Sequence, residues 1–182
     1  MMCTMTDPIL RPWRPSDADA LRDACRSSPD LHTQFGDVRP DTLAGAHDVI
    51  EHALASGERS RNWAVVLDGV AVGNVGLSAI EWRHQTAWAS YWLATSARGR
   101  AFASRGLCAV SDWAYAEGLF RLELGHRVNN PASCRVAGRA GYQAEGVERQ
   151  KLRYGQERFD VELHARLATD PAPTVSALQL LL

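Results

Sequence analysis

The sequence predicts an α+β (α/β) domain: a mixed, mostly antiparallel sheet of six or seven strands, about four helices, and a central splay between two parallel strands. Three observations carry this. Apolar runs at 62–67, 70–80 and 86–93 follow one another with short connections, the pattern of an antiparallel meander. The third run leads into a stretch of helical period at 101–117 and then an alternating run at 121–128. A strand–helix–strand crossover of this kind makes its two strands parallel. Between the third run and the helix lies a loop of small and basic residues, 93–105, where the parallel pair is free to part.

In chain order, residues 9–14 form a short first strand, with Pro12 at an edge or strand end because proline has no N–H for a ladder. Ser16 is placed to cap the next helix, with Asp17 and Asp19 in its first turn and Ala18, Leu21, Ala24 and Cys25 as its apolar stripe. Residues 29–40 read as a loop and 41–56 as a second helix burying Leu43, Ala46, Val49, Ile50, Ala53 and Leu54. Asp68-Gly69 is a two-residue hairpin turn, and Gly73 and Gly76 mark bulges or close contacts in the strand that follows. Arg83-His84-Gln85 connects to the third run, and the long helix stops at Gly118. Asn130 caps a further helix with Pro131 at its first position, ending at Gly141. A bent strand at 142–152 and a turn around Gly155 follow. Phe159, Val161, Leu163, Ala165 and Leu167 then alternate with Asp160, Glu162, His164 and Arg166, a strand with one buried face. The expected organisation is a flexible segment at 1–8, one domain at 9–168, and an apolar tail at 169–182 that is either unstructured or in contact with a partner subunit. That tail is the motive for expecting a homodimer.

With 182 residues, 46% of them hydrophobic and 23% charged, the chain has the composition of a soluble globular domain. A formal charge of −1 disfavours nucleic acid and membrane surfaces as partners. No apolar run approaches the ~20 residues of a membrane span, and the first residues lack the features of a signal peptide. Cys3, Cys25, Cys108 and Cys134 form no C-x-x-C pair and no zinc-ribbon spacing. They read as reduced thiols of a cytoplasmic protein, and no metal is expected. Positive charge is local, at Arg98, Arg100 and Arg105 and again at Arg135, Arg139, Arg149, Lys151 and Arg153.

The loop at 93–105 has the layout of an anion cradle. The first N–H groups of a helix lack intrahelical partners and carry the positive end of its dipole, which suits phosphate. Gly99 permits backbone angles that a side chain resists, and Arg98 and Arg100 add forked donors. A plain strand–loop–helix junction with solvated arginines would use the same residues.

The order strand, two helices, three-strand meander, helix, strand, helix, two strands resembles the GNAT acetyltransferase fold over about residues 9–167. The family's pyrophosphate signature, Gln/Arg-x-x-Gly-x-Gly/Ala, is similar to Arg98-Gly99-Arg100-Ala101-Phe102-Ala103, with Ala101 in place of the central glycine. Tyr91-Trp92-Leu93 before the loop, and the stretch from Val128-Asn129-Asn130-Pro131-Ala132-Ser133 to Gly141-Tyr142-Gln143-Ala144-Glu145-Gly146, resemble the RimJ/RimL branch, which acetylates protein N-terminal amines and whose relatives modify other small amines.

The resemblance implies acetyl-coenzyme A as donor and direct attack by an amine, from a peptide N-terminus or a small molecule, in a ternary complex. It implies cofactor contacts from Tyr91, Trp92, Leu93, Arg98, Gly99, Arg100, Ala101, Phe102, Ala103, Ser104 and Asn130, and a hydroxyl from Ser133 for the leaving thiolate. Trp88 and Leu152 stand where relatives carry acids, which leaves Glu81 and His84 as candidate bases. An α-amine, with a pKa of about 8, needs less help than a lysine amine near 10.4. Trp82, Trp88 and Trp92 are core aromatics or the lining of an aromatic acceptor site. The same lost acids also fit a non-catalytic acyl-coenzyme A binder on this fold.

Overall fold

The structure, a computed structural model, describes residues 7–36 and 38–182. Cys3 and most of the segment expected to be flexible lie outside the described residues. Eight strands, β1 (Ile9–Pro12), β2 (Arg61–Leu67), β3 (Val70–Glu81), β4 (Thr86–Leu93), β5 (Arg121–Arg127), β6 (Gln143–Tyr154), β7 (Glu157–Leu167) and β8 (Gln179–Leu180), form one sheet in the order β6-β7-β5-β4-β3-β2-β1-β8. The meander is β2 (Arg61–Leu67), β3 (Val70–Glu81) and β4 (Thr86–Leu93), all antiparallel. Asp68 and Gly69 both take positive φ, +49° and +84°, as the tight hairpin between β2 and β3 requires. A Cβ on Gly73 would stand 2.5 Å from the Trp92 carbonyl oxygen, so this glycine is where β3 closes on the end of β4.

From β4 the chain passes into α3 (Phe102–Ala116), which stops at Gly118 with φ +97°, and returns as β5 (Arg121–Arg127), parallel to β4. α4 (Pro131–Arg139) leads into β6 (Gln143–Tyr154) and β7 (Glu157–Leu167), the latter inserted beside β5. α3 and α4 cover one face, burying Leu107, Val110 and Ala137 against Val75, Leu77 and Leu122. α1 (Ala18–Ser27), α2 (Leu43–Asp48) and the turn after it cover the other with Leu21, Ala46, Val49 and Ile50.

Four local expectations change. Ser16 caps nothing: a 3₁₀ turn at Pro15–Asp17 intervenes, and Asp17 takes the polar role, accepting from the Arg14 N–H at 2.9 Å and from both forked nitrogens of Arg11 at 2.7 and 2.8 Å. The loop at 29–40 contains a 3₁₀ helix, Pro29–Gln34. The second helix is shorter than expected, starting at the Thr42 cap and ending in a π turn at Val49–Ala53, and Leu43 and Ala53, expected on its buried side, are exposed. His164 and Arg166 on β7 are buried, because α4 and α3 cover the face that alternation assigns to solvent.

The eighth strand lies outside the expected count of six or seven. β1 (Ile9–Pro12) ends at Pro12 and pairs with β2 on one side, while β8 (Gln179–Leu180) runs parallel along the other. Leu178 is buried and its N–H donates to the Arg105 carbonyl, so the tail packs on its own domain. No helix among the described residues is long and apolar enough to cross a membrane.

Candidate functional site

β4 and β5 pair only through Thr86–Arg121, Ala87–Leu122 and Trp88–Glu123. Beyond Trp88, β5 stays with β7 while β4 continues to Leu93 with β3 alone. The sheet therefore splays, and the first turns of α3 and α4 face each other across a cleft of about 320 Å³.

Nearly every residue expected to hold a cofactor lines this cleft. Tyr91, Trp92 and Leu93 form one wall; Arg98, Gly99 and Ala101 the rim; Phe102, Ala103 and Ser104 the floor; and Asn130 and Ser133 the opposite wall. Arg100 is the exception. Its guanidinium lies over the Phe102 ring, 4.5 Å from the centroid, outside the cleft lining. A wider surface hollow of about 870 Å³ at the β6–β7 hairpin contains none of these residues.

The rim is held from within. Arg98 donates through Nε to the Leu93 carbonyl at 2.9 Å and through a terminal nitrogen to Asp30 at 2.9 Å, tying the loop to the end of β4. Gly99 has φ +77° and Ala101 φ +59°. Ala101 is thus a left-handed cap residue rather than the helical one its place in the motif implies, a conformation costing an L residue about 1–2 kcal/mol that glycine avoids. The first helical bond of α3 runs from the Arg105 N–H to the Ala101 carbonyl, so the N–H groups of Phe102, Ala103 and Ser104 have no intrahelical acceptor. The Ser104 hydroxyl, fully buried beside them, has no partner among the described residues. Three free N–H groups and an orphaned hydroxyl at a helix start are a donor set without an acceptor, which phosphate oxygens fit.

On the opposite wall, Asn130 Oδ1 caps α4 by accepting from the Ser133 N–H at 3.2 Å. The Ser133 carbonyl accepts from the Tyr91 hydroxyl at 3.2 Å across the splay. Burial pushes the Tyr91 phenol above its ordinary value, so it remains a protonated donor. The Ser133 backbone is fixed at both groups, and capping falls to Asn130 rather than to the Ser133 hydroxyl.

Glu81 and His84 do not reach this site. Glu81 pairs with Thr86 whereas Gly73 pairs with Leu93, so Glu81 sits at the far end of β4. Seven steps at about 3.3 Å each separate the two ends, roughly 23 Å. Glu81 instead accepts from the Arg83 N–H in the exposed turn that contains His84. Trp82 is 42% exposed beside that turn, against its expected core or pocket place. Arg135, Arg139, Asp30 and Gln34 do line the cleft. The arginines were visible in the sequence as a basic cluster, but only the seating of α4 over the splay turns two of them inward. Asp30 is the sole carboxylate among the described lining residues, and its ion pair with Arg98 occupies it.

A family model described as an acetyltransferase (GNAT) domain matches residues 8–143. An uncharacterized N-acetyltransferase, YoaA, of Bacillus subtilis is 26% identical over 162 residues, covering 86% of this chain and 91% of its own. The ribosomal-protein-serine acetyltransferase of Escherichia coli is 34% identical over 97 residues, covering 53% of this chain and 54% of its own. Among solved structures, a RimL ribosomal-protein α-N-acetyltransferase in complex with coenzyme A superposes with a TM-score of 0.77 at 24% identity, covering 87% of this chain and 92% of that one.

Proposed function

The chain belongs to the GNAT acetyltransferase family, and from that premise we propose that it transfers an acetyl group from acetyl-coenzyme A to an α-amine, by direct attack in a ternary complex. The observation that carries this is the cleft at the splay: a donor set suited to phosphates at one end, a fixed serine on the facing wall, and no free carboxylate among the described lining residues.

Bound acetyl-coenzyme A supplies a thioester whose carbonyl carbon an amine attacks. The N–H groups of Phe102, Ala103 and Ser104 and the Ser104 hydroxyl hold the pyrophosphate, with Gly99 and Arg98 closing the rim and Arg135 and Arg139 adding charge from α4. The end of β4, Tyr91 to Leu93, has no strand on its β5 side and offers backbone N–H to the carbonyl oxygen, where charge develops. The Ser133 hydroxyl donates its proton towards the leaving sulfur, and the Tyr91–Ser133 bond holds it at that position. On the acceptor side, Trp92 packs against Trp13 and Phe35 with ring centroids 6.0 and 5.6 Å apart, an aromatic wall under α1 and α2. The non-catalytic alternative draws on the same missing acids, but Ser133 on the cleft wall favours chemistry.

The acceptor class follows from the missing base. Near pH 7.5 roughly a quarter of an α-amine is neutral and ready to attack, against about a thousandth of a lysine amine. A site without a free carboxylate suits the first. The name of the Escherichia coli relative gives a serine of a ribosomal protein as its acceptor, which supports a protein as the acceptor class.

Ser133→Ala is expected to lower kcat about 100-fold, in the range of a lost general acid, with KM for acetyl-coenzyme A nearly unchanged. Steady-state kinetics of thiol release reads this, and an unchanged kcat would remove Ser133 from the mechanism.

A further inference from the structure

Beneath α4, on the face of the β5–β7 ladder that it covers, lies a group of side chains the acetyl-transfer reading does not use. His126 on β5 stands directly opposite Glu162 on β7, and His164 lies two residues further along β7 on the same face. Cys134, in the first turn of α4, comes down onto them. One donor atom from each of the four lies within 4.8 Å of all the others. Three of the distances are much shorter: His126 Nε2 to His164 Nε2 is 3.0 Å, His164 Nε2 to Glu162 Oε2 is 2.9 Å, and His126 Nε2 to Glu162 Oε2 is 3.3 Å.

Four ligands around a tetrahedral ion at about 2.0–2.3 Å stand some 3.3–3.6 Å from one another; the two imidazoles and the carboxylate stand at or just inside that spacing, with the thiol within 4.8 Å of each. The histidines turn the correct nitrogens inward. His126 Nδ1 lies 3.0 Å from the Arg127 carbonyl, which can only accept, so Nδ1 carries a proton and Nε2 is the nitrogen turned towards the cluster, free to ligate once it is deprotonated. His164 Nδ1 has no partner among the described residues, so that ring is engaged only through Nε2. Both rings are buried, at 7% and 4% exposure for the two residues, while Cys134 reaches solvent and gives an ion a way in.

We propose that His126, Cys134, Glu162 and His164 form a tetrahedral site for a divalent ion of the zinc class. One thiolate and one carboxylate balance the two positive charges, and a set of two imidazoles, one thiolate and one carboxylate selects zinc over oxygen-preferring magnesium or calcium. The bound ion ties the first turn of α4 to the β5–β7 ladder next to Ser133, without touching the cleft lining. Sequence spacing conceals the site because its ligands come from two strands and a helix, so no short motif contains them.

The test uses the full-length chain, reduced, stripped with a chelator and titrated with cobalt(II), then with zinc(II). The expected result is one tetrahedral cobalt per chain, with intense visible bands and a thiolate-to-cobalt charge-transfer band, displaced by one equivalent of zinc. Cys134→Ser, at a solvent-reachable position that does not threaten the fold, loses the charge-transfer band. It also weakens zinc by at least about 100-fold, since loss of an outer-sphere partner alone costs 10–100-fold. His126→Gln, checked for folding by circular dichroism, weakens it similarly. An octahedral cobalt spectrum, substoichiometric binding, or zinc affinity unchanged in Cys134→Ser overturns the site and leaves a hydrogen-bonded His–Glu cluster.

Discussion

Replacing Arg135 and Arg139 together with glutamate is expected to raise the dissociation constant for acetyl-coenzyme A about 100-fold. Both arginines line the cleft from α4, one turn apart, opposite the free N–H groups of α3. A hydrogen bond to a charged group is worth about 1.5–3 kcal/mol, and both residues are exposed, so solvent and salt reduce each contribution to about 1 kcal/mol. Two such losses amount to about 30-fold at 1.4 kcal/mol per factor of ten, and reversed charge facing phosphate adds repulsion. Calorimetric titration measures the constant, and thermal melting should show no loss of stability because neither side chain is packed. An unchanged constant would place the phosphates away from this wall.

Asp17→Ala is expected to lower the unfolding free energy by about 3–5 kcal/mol, the range for removing one partner of a buried ion pair. Arg11 and Asp17 are 7% and 6% exposed and meet in a two-pronged contact where β1 hands over to α1. Without the carboxylate the guanidinium stays buried with only the Pro12 carbonyl as partner, and the Arg14 N–H loses its acceptor. The loss is a large fraction of a typical total of 5–15 kcal/mol, and urea unfolding reads it. The pH dependence has a definite sign. Burial pushes the Asp17 carboxyl up, but the Arg11 donors and the Arg14 N–H outweigh it and hold the group below the usual carboxylate range. A lowered folded-state pKa gives stability that is fully present above the unfolded value of about 3.9 and is lost as pH falls through the folded value. The acid limb of the stability curve below about pH 4 should therefore flatten in Asp17→Ala; an unaltered limb would assign acid unfolding to other groups.

What the sequence made legible is local. The hairpin at Asp68-Gly69, the bounds of the 86–93 strand, the stop at Gly118 and the Asn130-Pro131 start each follow from a residue's own backbone preference, and each stands in the structure. The splay follows from a crossover between two strands of recognisable length. What stayed hidden depends on partners distant in sequence. Ser16 looked like the cap because nothing nearby reveals that Arg11 folds onto Asp17. Alternation along β7 marked His164 and Arg166 as outward because it cannot report that helices cover that face too. Arg98 reads as a phosphate ligand until the Leu93 carbonyl and Asp30 are seen to hold it. Glu81 was misplaced by register: a strand of 12 residues carries its last residue far from the end that borders the cleft. The eighth strand comes from a tail whose apolar residues gave no clue that β1 was their partner.

Acetyl transfer itself is tested most directly by one assay: thiol release from acetyl-coenzyme A by the full-length chain, with peptides bearing free or blocked N-termini as acceptors. The expected result is turnover with the free α-amine, loss of turnover when the terminus is blocked, and a mass increase of one acetyl group at that terminus. Tight binding of acetyl-coenzyme A with no turnover on any amine, from α-amines to lysines and polyamines, would contradict the account and make the protein an acyl-coenzyme A binder that kept the cleft without the chemistry.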